Sequence, residues 1–191
     1  MRAQKINKWQ ESKLLKRLKN GDEESFRKIY DFFVDRIYKY VFLKIGSKEK
    51  TEEIVQDVFL KFWRFAKDEE NKVSDLSAFI YSIARSMIAD HYRNEGKVDA
   101  VVSFEETIIT EEEIVSESVL SEEIDISIDL EKVSAALTKL SQVYQDLIIM
   151  KYIEEMSNKE IAEILGKEEG NIRVLAHRAI KQLRAILRDH E

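Results

Sequence analysis

No cysteine occurs among the 191 residues, which excludes disulfides, thiolate metal sites and cysteine nucleophiles together. Proline is also absent, and glycine occurs only five times. With helix breakers this scarce and Leu, Ile, Glu and Lys abundant, the composition predicts an all-α protein. No apolar run is long enough to cross a membrane, and the N-terminus lacks the apolar segment and cleavage site of a signal peptide. A cytoplasmic protein without membrane insertion is expected. His91, His177 and His190 are far apart in sequence, and neither a glycine-rich phosphate loop nor a metal-ligand spacing is present. Neither enzymatic activity nor a cofactor is expected.

The formal net charge of −6 hides an uneven distribution. Residues 1 to 96 hold 20 Lys or Arg against 16 Asp or Glu, residues 97 to 130 hold Lys97 alone against 11 acids, and residues 131 to 191 balance at 10 against 10. The acidity is confined to one connecting segment. That segment alternates carboxylates with single or paired apolar residues, and its IDISIDL stretch has the period of a strand. Two readings fit it: a solvated tether, or an extended segment whose apolar residues dock while its carboxylates enter a basic channel.

The most informative stretch is SNKEIAEILGKEEGNIRVLAHRAIKQLRAILR, from Ser157 to Arg188. Ser157 and Glu160 have the spacing of a capping box, so a helix should begin there. Gly166 should end it after about two turns by adopting the left-handed conformation. The apolar pattern resumes at Ile172 and Leu175 and continues through Ala179, Leu183 and Ile186. Two helices joined by a tight glycine turn predict a helix-turn-helix, with the small Ala162 where the helices cross. Arg173, Arg178, Lys181, Arg184 and Arg188 make the second helix basic, as phosphate and the major groove require. For Arg184 and Arg188, complementing the helix dipole is an equally good account.

Upstream, Trp9 to Leu18 start a helical pattern interrupted at Gly21 and Asp22, and Phe26 to Ile45 carry a broad apolar face to Gly46. TEEIVQDVFLKFWRFA, from Thr51, forms another apolar stripe, Lys67 to Asp75 reads as a loop, and LSAFIYSIARSMIADHYRN follows with Asp75 or Ser77 as its cap. The expected organisation is a helical domain over residues 1–96, an acidic linker over 97–130 and a small helical domain over 131–191.

In this order and spacing, GDEESFRKIYDFF, TEEIVQDVFLKFW, FIYSIARSMIADHYR and LSQVYQDLIIMKYIEEMSNKEIAEILGKEEGNIRVLAHRAIKQLR resemble a bacterial sigma factor of the extracytoplasmic-function (ECF) type in the sigma-70 family. That resemblance covers nearly the whole chain. It implies two helical domains, regions 2 and 4, that bind core RNA polymerase and promoter DNA, recognise the minus-10 and minus-35 elements and aid melting, with an anti-sigma protein as a further kind of partner. The linker would thread through polymerase channels as a nucleic-acid mimic. A polymerase-independent helix-turn-helix regulator is the alternative, and it leaves EEIVQDVFLKFW and the acidic segment without a role.

By the same resemblance, Gln56, Asp57 and Phe59 correspond to the core-polymerase contact, although Phe59 also fits the core stripe of its helix. Asn71, Arg85 and Arg93 correspond to minus-10 recognition, where a flipped base needs polar loop groups and single-strand phosphates need cations. Arg85 equally suits an ion pair within the bundle. Gly170, Asn171, Arg173, Val174, His177 and Arg178 correspond to minus-35 recognition, Asn and Arg being types that pair bidentately with adenine and guanine. Four positions depart from the family: Phe79 replaces a frequent Trp, Ser86 a frequent Asn, Leu175 a frequent Arg, and Ser141 or Gln142, either of which can cap the helix that follows, the usual Pro.

Overall fold

The computed structural model describes residues 6–68, 70–96 and 130–188. The acidic segment with its strand-like IDISIDL lies outside them. Among the described residues every regular element is helical. The first, α1 (Lys8–Lys19), starts at a reciprocal cap in which the Asn7 side chain accepts from the Gln10 amide at 2.9 Å and Gln10 Oε1 accepts from the Asn7 amide at 3.1 Å. Gly21, at φ 81°, makes the turn into α2 (Glu23–Ile45). A second left-handed glycine, Gly46, ends α2.

The next helix, α3 (Lys48–Lys67), begins a turn earlier than the acidic pair after Thr51 suggested. Ser47 accepts from the Lys50 amide, and Thr51 is buried, its hydroxyl donating to the Ser47 carbonyl at 2.7 Å. Asp75, rather than Ser77, caps α4 (Leu76–Asn94), accepting from the Ala78 amide at 2.7 Å. The apolar stripes of these four helices converge on one another: Leu18, Ile29, Phe33, Ile37, Val58, Phe62, Leu76, Ile80 and Ala84 are each 0% exposed.

The last four helices are α5 (Leu130–Leu137), α6 (Gln142–Ile148), α7 (Asn158–Leu165) and α8 (Glu169–Arg188). Ser141 caps α6, its side chain accepting from the Tyr144 amide. The sequence reads as one continuous helix beyond Ser141, yet Ile149–Ile153 forms a π-helical turn. Ile149 and Met150, at the start of that turn, are both fully buried and end a run of buried residues that begins at Gln145.

The helix-turn-helix is formed as its sequence requires. Ser157 Oγ accepts from the Glu160 amide at 3.3 Å, Glu160 Oε2 accepts from the Ser157 amide at 2.8 Å, and Gly166 is left-handed at φ 64°. Ile161, Ala162, Leu165 and Ile172 bury its seam. Because this cap satisfies two amides of a helix only eight residues long, Ser157→Ala is expected to lower unfolding free energy by about 1 kcal/mol, seen as a lower urea midpoint at unchanged slope. A midpoint equal to that of the parent chain would remove the cap from the account of this helix.

The two groups of helices pack directly on each other, α2 against α5 and α4 against α7. Their contact is more polar than either interior. Lys44, Asp146 and Ser134 are buried there, and Ser134 Oγ donates across it to the Leu43 carbonyl at 3.2 Å.

Candidate polymerase and nucleic-acid interfaces

The three expected groups lie on α3, on the loop before α4 together with α4, and at the start of α8, and not all of their members reach the surface. On α3, Gln56 and Asp57 are exposed while Phe59 is 3% exposed. Phe59 therefore serves the core, where its ring lies 4.7 Å from that of Tyr30. The apolar part of this face comes from residues the sequence reading did not single out: Leu60 is 44% exposed and Tyr30 37%. A signal for Leu60 was present. Val58, Phe59, Leu60, Phe62 and Trp63 are too many apolar residues in succession for a single helix face, so one had to face outward.

In the loop before α4, the Asn71 side chain donates to the Phe65 carbonyl at 3.2 Å, and its own carbonyl accepts from Lys19 Nζ. Both contacts fix the loop to α1 and α3. Arg93 is exposed and ion-paired with Asp90 at 2.9 Å, one turn away on the same helix. Arg85 is elsewhere: its Nε donates to Asp146 Oδ2 at 3.0 Å, across the contact with α6. The ion-pair reading of Arg85 is the one this arrangement satisfies. Its partner was not legible because Asp146 lies 61 residues away.

At the start of α8, Gly170, Arg173 and His177 are exposed, and Asn171 and Arg178 are partly so. Val174 is buried at 6% exposure, facing inward with Ile172 and Ala176. It supports the helix and presents no surface to a base. Beside this face lies Lys151, whose amine donates to Asn158 Oδ1 at 2.5 Å. Burial, and secondarily the Arg173 charge, hold the Lys151 pKa below the usual lysine range. Two cations near one another at the head of a recognition helix form a field suited to phosphate.

Beyond allowing Arg85 an ion pair within the bundle, sequence reasoning did not find the cluster around Asp146. Tyr40 Oη donates to Asp146 Oδ1 at 2.6 Å and Lys44 Nζ to the same oxygen at 2.5 Å, while Arg85 takes the other oxygen. Lys44 is 2% and Asp146 1% exposed. Burial depresses the Lys44 pKa and Asp146 opposes that shift; burial and then Asp146 raise Tyr40. The only hint in the sequence is a lysine set in the apolar stripe between Val41 and Ile45. No group of acids and histidines among the described residues has the arrangement of a metal site, and none of their helices is long and apolar enough to cross a membrane.

Residues 29–98 match the family model of sigma-70 region 2, and residues 130–183 that of sigma-70 region 4. The chain is 31% identical over 181 residues to the ECF RNA polymerase sigma factor SigW of Bacillus subtilis (strain 168), covering 93% of this chain and 96% of that one. To the ECF RNA polymerase sigma factor BldN of Streptomyces coelicolor it is 27% identical, over 92% of this chain and 65% of the relative. Its fold is that of CnrH in complex with the cytosolic domain of CnrY, with a TM-score of 0.64 at 18% identity over 93% of this chain and 97% of the other. It is similarly that of the sigma factor RpoE in complex with the anti-sigma factor NepR from Bartonella quintana, with a TM-score of 0.59 at 22% identity over 86% and 98%. The chain therefore belongs to the ECF RNA polymerase sigma factors of the sigma-70 family and is a promoter-directing transcription initiation factor.

Proposed function

We propose that the work is divided among three surfaces on three units: residues 1–96 as region 2, 97–130 as linker and 131–191 as region 4. The outer face of α3 docks on core polymerase. The loop before α4, together with α4, handles the minus-10 strand, and the first turns of α8 read the minus-35 duplex. The observation that carries this reading is the α3 face, where exposed Asp57 and Gln56 stand beside outward-facing Leu60 and the neighbouring Tyr30. A carboxylate flanked by exposed apolar and aromatic groups is the chemistry of a protein interface, with Asp57 suited to an arginine of the partner. A polymerase-independent regulator has no use for such a face. Asn171, Arg173, His177 and Arg178 then supply base and phosphate contacts, with Gly170 allowing close backbone approach. An anti-sigma protein would act by covering these same surfaces.

The test is run-off transcription with bacterial core polymerase and a promoter library. Transcripts that depend on this protein and share an upstream motif pair are expected. Asp57→Arg should reduce core binding about tenfold or more, because it sets a cation where an arginine of the partner would dock. If a competent core yields no transcript while the protein alone protects duplex DNA, the regulator reading replaces this one.

A further inference from the structure

The loop between α3 and α4 is held at its middle by Asn71. The Asn71 side chain donates to the Phe65 carbonyl at 3.2 Å, and its backbone amide donates to the Asp68 carbonyl at 3.3 Å. Its own carbonyl accepts from Lys19 Nζ, which reaches it from α1, 52 residues earlier in the chain. At the far end of the loop, the Asp75 carboxylate caps α4 by accepting from the Ala78 amide at 2.7 Å. The rings of Phe65 and Phe79, 4.5 Å apart, join the two flanking helices. Three helices thus hold the loop, and α1 acts on it through the ammonium group of Lys19.

Burial alternates along the second half of this loop. Asn71, Val73 and Asp75 are half-buried, with Val73 packed on the core, while Lys72 and Ser74 between them are exposed. A slip of one residue would exchange the two sets, and the fixed points at Asn71 and Asp75 oppose it. The outward residues have the chemistry that an opened strand requires. Lys72 is the single cation between Asp68 and Asp75 and suits a phosphate. The Ser74 hydroxyl both donates and accepts, so it suits a base edge. Asn71, whose amide is turned to Phe65, is the fixed point from which these two project.

We infer that Lys19 is a positioning residue for minus-10 recognition: from α1 it holds the Asn71 carbonyl so that Ser74 meets the edge of the flipped base and Lys72 meets a phosphate of the strand. This deepens the reading of the loop proposed above and rests on it. A hydrogen bond from an ammonium group to a carbonyl is charge-assisted and stronger than a neutral one. A loop held this way before the strand arrives loses less freedom on capturing the base. Without Lys19 the Asn71 carbonyl turns to water, and the loop gains freedom next to the residues that read.

The test is run-off transcription by core polymerase with the full chain, on promoters changed singly at each minus-10 position. Ser74→Ala should relax selection at one position by about 2- to 12-fold, the worth of one hydrogen bond. Lys72→Ala should weaken every promoter alike and reduce the salt slope by about 0.7, as for one phosphate of a single strand. Lys19→Met should relax the Ser74 position by a similar factor, with core binding and Tm nearly unchanged, and Lys19→Arg should retain selection. Lys19→Met combined with Ser74→Ala should lose no more than either change alone, because both remove the same contact. Asn71→Ala, which cuts the tie to α3, should relax the same position, and it decides the matter if Lys19→Met loses helix content by circular dichroism. Where Ser74→Ala relaxes its position, three outcomes overturn the positioning role and leave the loop as reader: selection unaltered by both Lys19→Met and Asn71→Ala, additive losses in the double variant, or a uniform loss on all promoters with Lys19→Met. If neither Ser74→Ala nor Lys72→Ala changes transcription from any promoter, the loop does not read the minus-10 strand and the role of Lys19 falls with it.

Discussion

Phe62→Ala is expected to lower unfolding free energy by about 3 to 5 kcal/mol, the range for deleting a buried aromatic ring that its neighbours cannot replace. Phe62 is 0% exposed, with its ring centroid 6.2 Å from that of Phe26 and 6.3 Å from that of Phe79. These neighbours come from α2 and α4, so the cavity opens where three helices meet and none can close it by a side-chain rotation alone. For a chain of this size the cost corresponds to a fall in Tm of roughly 6 to 20 °C. Leu60→Ala, two residues away on the same helix, is the informative contrast. At 44% exposure it fills no interior space, so it should leave Tm nearly unchanged and weaken core-polymerase binding. A loss below about 1 kcal/mol for Phe62→Ala would mean that the interior is loosely packed. A matching Tm loss for Leu60→Ala would mean that its face is structural and not an interface.

That contrast marks where sequence reasoning reached and where it stopped. Local chemistry was legible: the Ser157–Glu160 capping box, the Gly166 stop, a cap at Asp75 or Ser77 and the inward stripes all follow from spacings of a few residues. Such features are set by backbone hydrogen bonding within one or two turns, and nothing distant competes with them. The division of an apolar helix into core and surface was legible only in part. Phe59 fits either account in the sequence and turns inward in the fold, and Val174, given to the DNA face by resemblance alone, turns inward as well. Least legible was the pairing of Lys44 and Arg85 with Asp146, at separations of 102 and 61 residues. A charge inside an apolar stripe announces that some partner exists, but its identity depends on how the two groups of helices meet. Ser134, which reaches the Leu43 carbonyl across the same seam, was equally silent in the sequence. The π-helical turn after α6 was missed for a related reason. It lies at the end of a run of buried residues from Gln145 to Met150, and no local spacing of residues in the sequence marks it.

Arg173→Ala and Arg178→Ala should each weaken minus-35-dependent transcription by about 5- to 150-fold, the equivalent of losing 1 to 3 kcal/mol of base and phosphate contact. The geometry of α8 sets this expectation. Ile172, Val174, Ala176, Ala179 and Ile180 take the inward side, leaving Arg173 and His177, one turn apart, on the exposed side. Asn171 and Arg178, seven residues apart, share a second, partly exposed line along the helix. All four lie in the first three turns of a 20-residue helix, the part that enters the major groove in a helix-turn-helix. An arginine that reads a guanine and one that holds a phosphate are separable by two measurements. Loss of the base reader should relax selection at one position of the upstream element, whereas loss of the phosphate contact should weaken all sequences alike and reduce the salt slope by about one. Neither change should alter Tm by more than a fraction of a kcal/mol equivalent, since neither side chain fills the interior. Arg184→Ala, nearer the C-terminal end where dipole complementation suffices as a role, should affect promoter selection far less. Equal losses on promoters with and without the upstream element, with selection unchanged at every position, would show that α8 does not read the duplex.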